Sequence, residues 1–340
     1  MTKLDIFDYD LPEELIAQHP AGERDASRLL IVDRKTGKTE HRHFFDLPEY
    51  LKAGDILVLN DSRVIKARLL GDKEGTGARV ELLLTRQLDG KLWEALARPA
   101  KRLHSGDRVS FGEGFEAEVK TREEDGLVSI LFKCECDFWR ALERFGHTPL
   151  PPYIRREDVE EDTDRYQCVY AEKPGSAAAP TAGLHFTEDI LEKLRDTGVD
   201  IVFVTLHVGP GTFRPVQTDN IEDHKLHEEY YHIDEDAQRK IDLAKAEGRR
   251  VICVGTTSVR TIESAYAGDG AYGRTDIFFY PGGREFLITD ALITNFHLPK
   301  STLLMLVCAF YDREKILEIY GEAIKERYRF YSYGDAMLIL

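Results

Sequence analysis

Apolar positions along this chain change period twice. From residue 60 to 147 they alternate with polar ones in short runs, the pattern of strands with one face buried. VIKARLLG, ARVELLLTRQ, LWEALARP, RVSFG, FEAEVKT and LVSILFK predict about six such strands. Gly71, Asp89-Gly90, Gly106-Asp107, Gly112 and Asp125-Gly126 punctuate them, and DFWRALERFG predicts a short closing helix. This fits a small antiparallel barrel or sandwich.

On either side the pattern is that of an α/β protein. LPEELIAQH predicts a short helix from about Pro12, and SRLLIVDRKTGKTEHRHF two strands around a turn at Thr36-Gly37. DLPEYLKAGDILVLND predicts a helix, a turn and a buried strand over 56–59. Later, TEDILEKLRDTG predicts a helix with Thr187 as its N-cap and Gly198 at its end. The apolar run from Val199 to Leu206 reads as a central parallel strand. Asp234 to Gly248 predicts a helix, RVICVG a buried strand, and TTSVRTIESAYA a loop entering a helix at about Ser258. DIFFYP and FLITDALITNFH predict further strands. KSTLLMLVCAFY, begun by Pro299, is apolar all round and so predicts a buried helix. REKILEIYGEAIKERY predicts an amphipathic helix and AMLIL a final strand. PLPPYIRR is a stiff connector, and EDVEEDTD reads as an acidic solvated loop. The predicted class is α/β. A larger α/β domain spans residues 1–58 and 149–340, with a small antiparallel β-barrel inserted at 59–148.

Composition narrows the setting. The 340 residues are 42% hydrophobic, which sustains a core. No run of about 18 apolar residues is present, so no membrane span is expected. MTKLDIFDYDL lacks the apolar region of a signal peptide, and the five cysteines are odd in number and unpatterned. A reducing, cytoplasmic location is expected. The net charge of −15 argues against indiscriminate nucleic-acid binding but leaves room for a local basic patch.

Candidate chemistry gathers around residues 174–213. Two polar loops, PGSAAAPTAGLHFT and LHVGPGTF, bracket a helix and a strand there. His185 lies just before the helix and His207 just after the strand, where ligands of open α/β sheets collect. Thr181, Gly183, Gly209 and Gly211 are small residues that would let a ligand approach the backbone. The plainer alternative is two tight turns, each with a solvated histidine. In GTTSVRTIES, Thr256, Thr257 and Ser258 set hydroxyls beside the free amides of a helix N-terminus, suited to phosphate, carboxylate or ribose. Arg260 would be a bidentate clamp or one half of a structural ion pair. In TNFHLPKST, His297 could act as a general base and Lys300 could neutralise an anion, unless this is a capped turn. His224, His227 and His232 sit near Glu228 and Glu229 without HExxH spacing, and Cys134 and Cys136 cannot complete a zinc site, so no metal is expected. Arg63, Lys66 and Arg68, then Arg98, Lys101 and Arg102, then Arg155 and Arg156 cluster at the edges of the β-rich segment. They could contact an RNA backbone, with Tyr153 stacking on a base, or be solvated charge.

Eight motifs then assemble in order: NDSRVIKARL, LPPYIRR, DRYQCVYA, PTAGLHFT, TLHVGPGTFRPV, VGTTSVRTIES, ITNFHLPKSTLLMLV and YRFYSYGDAMLI. Over essentially the whole chain they resemble the S-adenosylmethionine:tRNA ribosyltransferase-isomerase family of queuosine biosynthesis. YPGGREF and Pro210 depart from the family's usual residues. The resemblance implies transfer of the ribosyl unit of S-adenosylmethionine to 7-aminomethyl-7-deazaguanine at the tRNA wobble position. The ribosyl unit rearranges to give epoxyqueuosine, and adenine and methionine leave. It implies S-adenosylmethionine as co-substrate, no tightly bound cofactor, no metal, tRNA as partner and a monomer. Applied to these residues, His185, His207 or His297 would remove a proton beside the sulfonium. The GTTSVR loop would hold the ribose or methionine end, with Arg260 on the carboxylate. The barrel, Arg155 and Arg156 would face the anticodon stem-loop. An S-adenosylmethionine-dependent RNA methyltransferase and a non-enzymatic tRNA-binding module are the alternatives.

Overall fold

The computed structural model describes residues 2–340 apart from 124, 125, 210–215 and 217. The chain opens with β1 (Arg28–Val32), β2 (Thr39–His43), β3 (Ile56–Asn60) and the short β4 (Ser62–Val64). Six strands follow: β5 (Arg68–Lys73), β6 (Ala78–Asp89), β7 (Leu92–Arg98), β8 (Arg108–Gly112), β9 (Phe115–Arg122) and β10 (Leu127–Cys134). Helix α1 (Phe138–Phe145) and β11 (Gly146–His147) complete this part. The remainder runs α2 (Glu160–Arg165), β12 (Lys173–Ser176), α3 (Glu188–Asp196), β13 (Asp200–Leu206), β14 (Glu229–Ile233) and α4 (Glu235–Ala246). It continues through β15 (Val251–Val254), α5 (Gly255–Ser264), β16 (Tyr272–Thr275), β17 (Ala291–Asn295), α6 (Thr302–Phe310), α7 (Arg313–Lys325) and β18 (Ala336–Ile339).

Among the described residues, nine strands form one sheet in the order β16-β14-β13-β3-β15-β17-β18-β1-β2. β3, β15, β17 and β18 are buried at every position. Their largely apolar runs require cover on both faces. One face packs Val58, Cys253 and Leu292 against Ile241, Ile262 and Val307 of α4, α5 and α6. The other packs Leu59, Val254 and Ile293 against Phe44, Ile190 and Leu194. β13, β3, β15 and β17 are mutually parallel, so their carboxyl ends share one edge.

The alternating segment closes into a six-stranded antiparallel barrel, β5-β6-β7-β10-β9-β8, with β8 returning to β5. Its inward positions carry Trp93, Phe115 and Phe132, and Phe138 of α1 packs against them. Asp137 caps α1 by accepting from the amides of Trp139 and Arg140. β4 pairs in parallel with β12, a two-stranded ribbon that carries the chain out to the barrel and back.

Several local expectations are corrected. LPEELIAQH yields only a 3-10 turn over Glu13–Leu15. The acidic stretch after the connector is not a solvated loop but contains helix α2, because Asp162 is buried against Arg156 at 2.6 Å and accepts from Tyr333 at 2.7 Å. α5 begins at Gly255 rather than Ser258. α6 begins at Thr302 behind a Ser301 N-cap, with Lys300 at φ 57° in the preceding turn. DIFFYP is not a strand; the edge strand β16 precedes it. Among the described residues no helix is long and apolar enough to cross a membrane.

Candidate active site

At the carboxyl edge of the parallel strands, Asn60 stitches β3 to β13. Its Oδ1 accepts from the amides of Ser62 and Leu206, and its Nδ2 donates to Leu206 O. Asp61 next to it accepts from Thr205 Oγ1 at 2.6 Å, and burial pushes its carboxyl above the usual range. His207 leaves the end of β13. Its ring stacks on Tyr230 at 6.0 Å and lies so close to Gly175 that an added Cβ there would sit 3.0 Å from His207 Cε1. Burial lowers its pKa, keeping it neutral at working pH, and its Nδ1 is buried without a hydrogen-bond partner among the described residues.

His207 faces a cavity of about 490 Å³ between the two sheets. The barrel supplies one wall, with Thr85, Gln87, Trp93 and an Arg86–Glu94 pair at 2.8 Å. The α/β part supplies the other, with Gly209, Glu229, Tyr230, Arg260 and Arg274. Arg260 Nη1 donates to Glu229 Oε2 and Nη2 to Thr275 O at 3.4 Å. Glu229 Oε1 in turn accepts the Gly209 amide at 2.8 Å. Of the two roles expected for Arg260, the structure shows the ion pair, which holds Gly209 at the end of β13. Gly211 lies outside the described residues.

The other two histidines are not brought to the cavity. His185 is 4% exposed, lies 2.7 Å from Ser27 Oγ through Nδ1, stacks on Phe44 at 5.0 Å and faces Asn295. Burial lowers its pKa to about 4. His297 is 7% exposed with Nε2 2.7 Å from Thr294 Oγ1, and burial lowers its pKa to about 3. Both belong to the end of β17, three strands from β13 in the sheet order and so about 14 Å away at strand spacing.

In the first small-residue loop, Gly183 serves packing. A Cβ on Gly183 would lie 2.1 Å from Tyr170 Oη and 2.6 Å from Cys168 Sγ, so this glycine admits those side chains rather than a ligand. Thr181 opens the turn whose Ala182 packs near Gly255, covering the N-terminus of α5. Ser258 spends its hydroxyl on Val254 O at 2.8 Å. Thr256 and Thr257 are buried there, and Thr257 Oγ1 has no hydrogen-bond partner among the described residues. Lys300 pairs with Asp5 at 2.8 Å and Asp8 at 3.0 Å, so its charge is already met.

The basic groups divide. Arg63, Arg98 and Lys101 are exposed, and Arg63 and Lys66 line a second cavity of about 290 Å³ beside the barrel. Lys66 also reaches Glu143 O at 3.1 Å, Arg68 pairs with Glu81 at 3.2 Å, and Arg155 with Glu13 at 3.1 Å. Arg156 is held by buried Asp162, and Tyr153 stacks on Tyr331 at 4.5 Å, so neither is open to RNA. Among the described residues no group of three or more His, Cys, Asp or Glu is arranged to hold a metal.

Sequence reasoning missed Asn60, Asp61, the pairing of Glu229 with Arg260, and the barrel wall of the cavity. The position of Asn60-Asp61 at the carboxyl end of a buried strand is the signal that would have found them.

The family described as queuosine biosynthesis protein matches residues 4–339. The chain is also similar to the crystal structure of S-adenosylmethionine tRNA ribosyltransferase from Thermotoga maritima. The two share 39% identity over 98% of this chain and 100% of that one, with a TM-score of 0.57.

Proposed function

The chain belongs to the queuosine biosynthesis protein family, and from that premise we propose that it is an S-adenosylmethionine:tRNA ribosyltransferase-isomerase. It moves the ribosyl unit of S-adenosylmethionine onto 7-aminomethyl-7-deazaguanine in tRNA and rearranges it to epoxyqueuosine, releasing adenine and methionine. The target base is unpaired, at the wobble position of the anticodon loop. The observation that carries this reading is the placement of His207. It ends a parallel strand and opens into a cavity of about 490 Å³ whose opposite wall is the barrel. That volume is in the range of small-molecule sites.

The sulfonium acidifies the ribose 5′ carbon, and a neutral imidazole can take the proton. His207 has the needed state, since burial disfavours its cation. Its tilt is fixed on one side by Gly175 and on the other by Tyr230. The Arg260–Glu229–Gly209 chain of contacts fixes where the following loop departs. His185 and His297 support the sheet edge instead.

The test is a label-fate assay with tRNA bearing 7-aminomethyl-7-deazaguanine. S-Adenosylmethionine is labelled separately in its ribose and methyl carbons. Ribose label in tRNA, with free adenine and methionine, is the expected result. Methyl label in tRNA would make the protein a methyltransferase. Tight tRNA binding with neither label transferred would leave a binding module.

A further inference from the structure

We propose that Tyr230, Tyr272 and Arg274 form a stacking platform for the unpaired nucleotides that flank the target base. This rests on the tRNA-modifying reading of the adjoining cavity. The strand register makes the surface. Tyr230 pairs with Arg274, and His232 with Tyr272. Residues two apart on a strand share a face, so all four side chains stand on one side of β14 and β16. His207 joins the same row, because its amide donates to Tyr230 O and its ring stacks on Tyr230. Tyr230 and Tyr272 are diagonal neighbours across the strand pair, a separation of about 7–8 Å. The row therefore runs from the cavity to the free edge of the sheet.

The opposite face of these strands already has a structural task. Tyr231, Ile233 and Thr275 are buried there. Among the described residues the row face has no such cover: Tyr230 is 46% exposed and Tyr272 is 70% exposed. Single exposed apolar residues need no explanation. Two neighbouring phenol rings continuous with a stacked histidine at a cavity mouth form a surface with a direction. Unpaired bases recognise such surfaces by stacking, without regard to sequence. Arg274 lies beside the rings, held by Glu228 at 3.4 Å in a pair exposed on both sides. A phosphate can take over so loose a partner. The net charge of −15 limits how many phosphates the protein can neutralise, so stacking has to supply much of the RNA affinity.

The test uses an anticodon stem-loop RNA with 2-aminopurine next to the target position, whose fluorescence is quenched on stacking. Wild type, Tyr272→Ala and Tyr272→Phe are compared. Tyr272 is exposed and outside the cavity, so both variants should fold. The expected result is quenching with wild type and Tyr272→Phe, and loss of quenching with Tyr272→Ala. The alanine variant should also bind the RNA about 5- to 100-fold more weakly. Its KM for S-adenosylmethionine and its kcat at saturating RNA should not move. Unchanged quenching and affinity in Tyr272→Ala would overturn the platform. So would unchanged RNA affinity together with a change in oligomeric state, which would make this edge a contact between copies. Ribose transfer without wild-type quenching would sink the platform and leave the activity. Quenching that Tyr272→Ala abolishes, without any ribose transfer by wild type, would do the reverse.

Discussion

Lowering the pH should destabilise this protein through two buried histidines, His185 and His297. Burial holds His185 at about 4 and His297 at about 3, against an ordinary 6.5. A histidine depressed in the folded state leaves the unfolded chain binding more protons below pH 6.5. Its contribution to stability is complete above that value and is lost as pH falls toward the folded pKa. At pH 5 the unfolded imidazole is almost fully charged while both folded ones are still neutral. The gap of about 1.5 pH units costs about 2 kcal/mol per histidine, or about 4 kcal/mol for the pair. Urea unfolding at pH 8 and pH 5 would measure it in wild type, His185→Gln, His297→Gln and the double variant. Wild type should lose about 4 kcal/mol more than the double variant between the two conditions, and each single variant about half of that excess. A double variant as acid-sensitive as wild type would refute the argument, because the protons would then be entering elsewhere.

Other expectations are independent of that one. His207→Gln should lower the single-turnover rate of ribose transfer by about 10²–10⁴-fold with tRNA binding kept; a wild-type rate would end its candidacy as the base. Arg260→Met leaves Glu229 buried without its cation and should cost about 3–5 kcal/mol in chemical denaturation. Adding Glu229→Gln to it should recover part of that loss, and a neutral Arg260→Met would show the pair to be dispensable. Gly183→Ala forces a methyl against Tyr170 Oη and Cys168 Sγ and should cost about 1–3 kcal/mol, relieved in part when Tyr170→Phe is added. Unfolding of Gly183→Ala, Tyr170→Phe and the double variant side by side decides it, and a harmless Gly183→Ala would contradict the packing account.

The barrel was legible because each strand has one wet face and one dry face, so its sequence alternates and its turns need Gly or Asp. The central strands were legible for the opposite reason, since burial on both faces leaves nothing polar in VICV and only the terminal Asn60 in ILVLN. What escaped depended on partners remote in sequence. Asp162 looks like one more acid in a solvated run until Arg156 and Tyr333 meet it. Arg260 was left open between clamp and ion pair because Glu229, some 30 residues upstream, is brought to it only by the pairing of β14 with β13. The three histidines were equivalent as letters beside turns. Only packing separates His207, against a cavity, from His185 and His297, sealed at the far end of the same edge.

The position of β18 bears on how the chain can fold while it is being made. β1 and β2 form a hairpin, but β1 joins the rest of the sheet only through β18, pairing Leu29 with Ala336 about 300 residues later. The barrel needs only its own contiguous strands and can close once residues 68–134 have left the ribosome. The first hairpin must wait with an open strand edge until β18 arrives and slots in between it and β17. Synthesis that stalls beyond the barrel would leave a finished small domain tethered to an unfinished sheet. That intermediate, rather than the unfolded chain, is the species expected to engage chaperones or to aggregate.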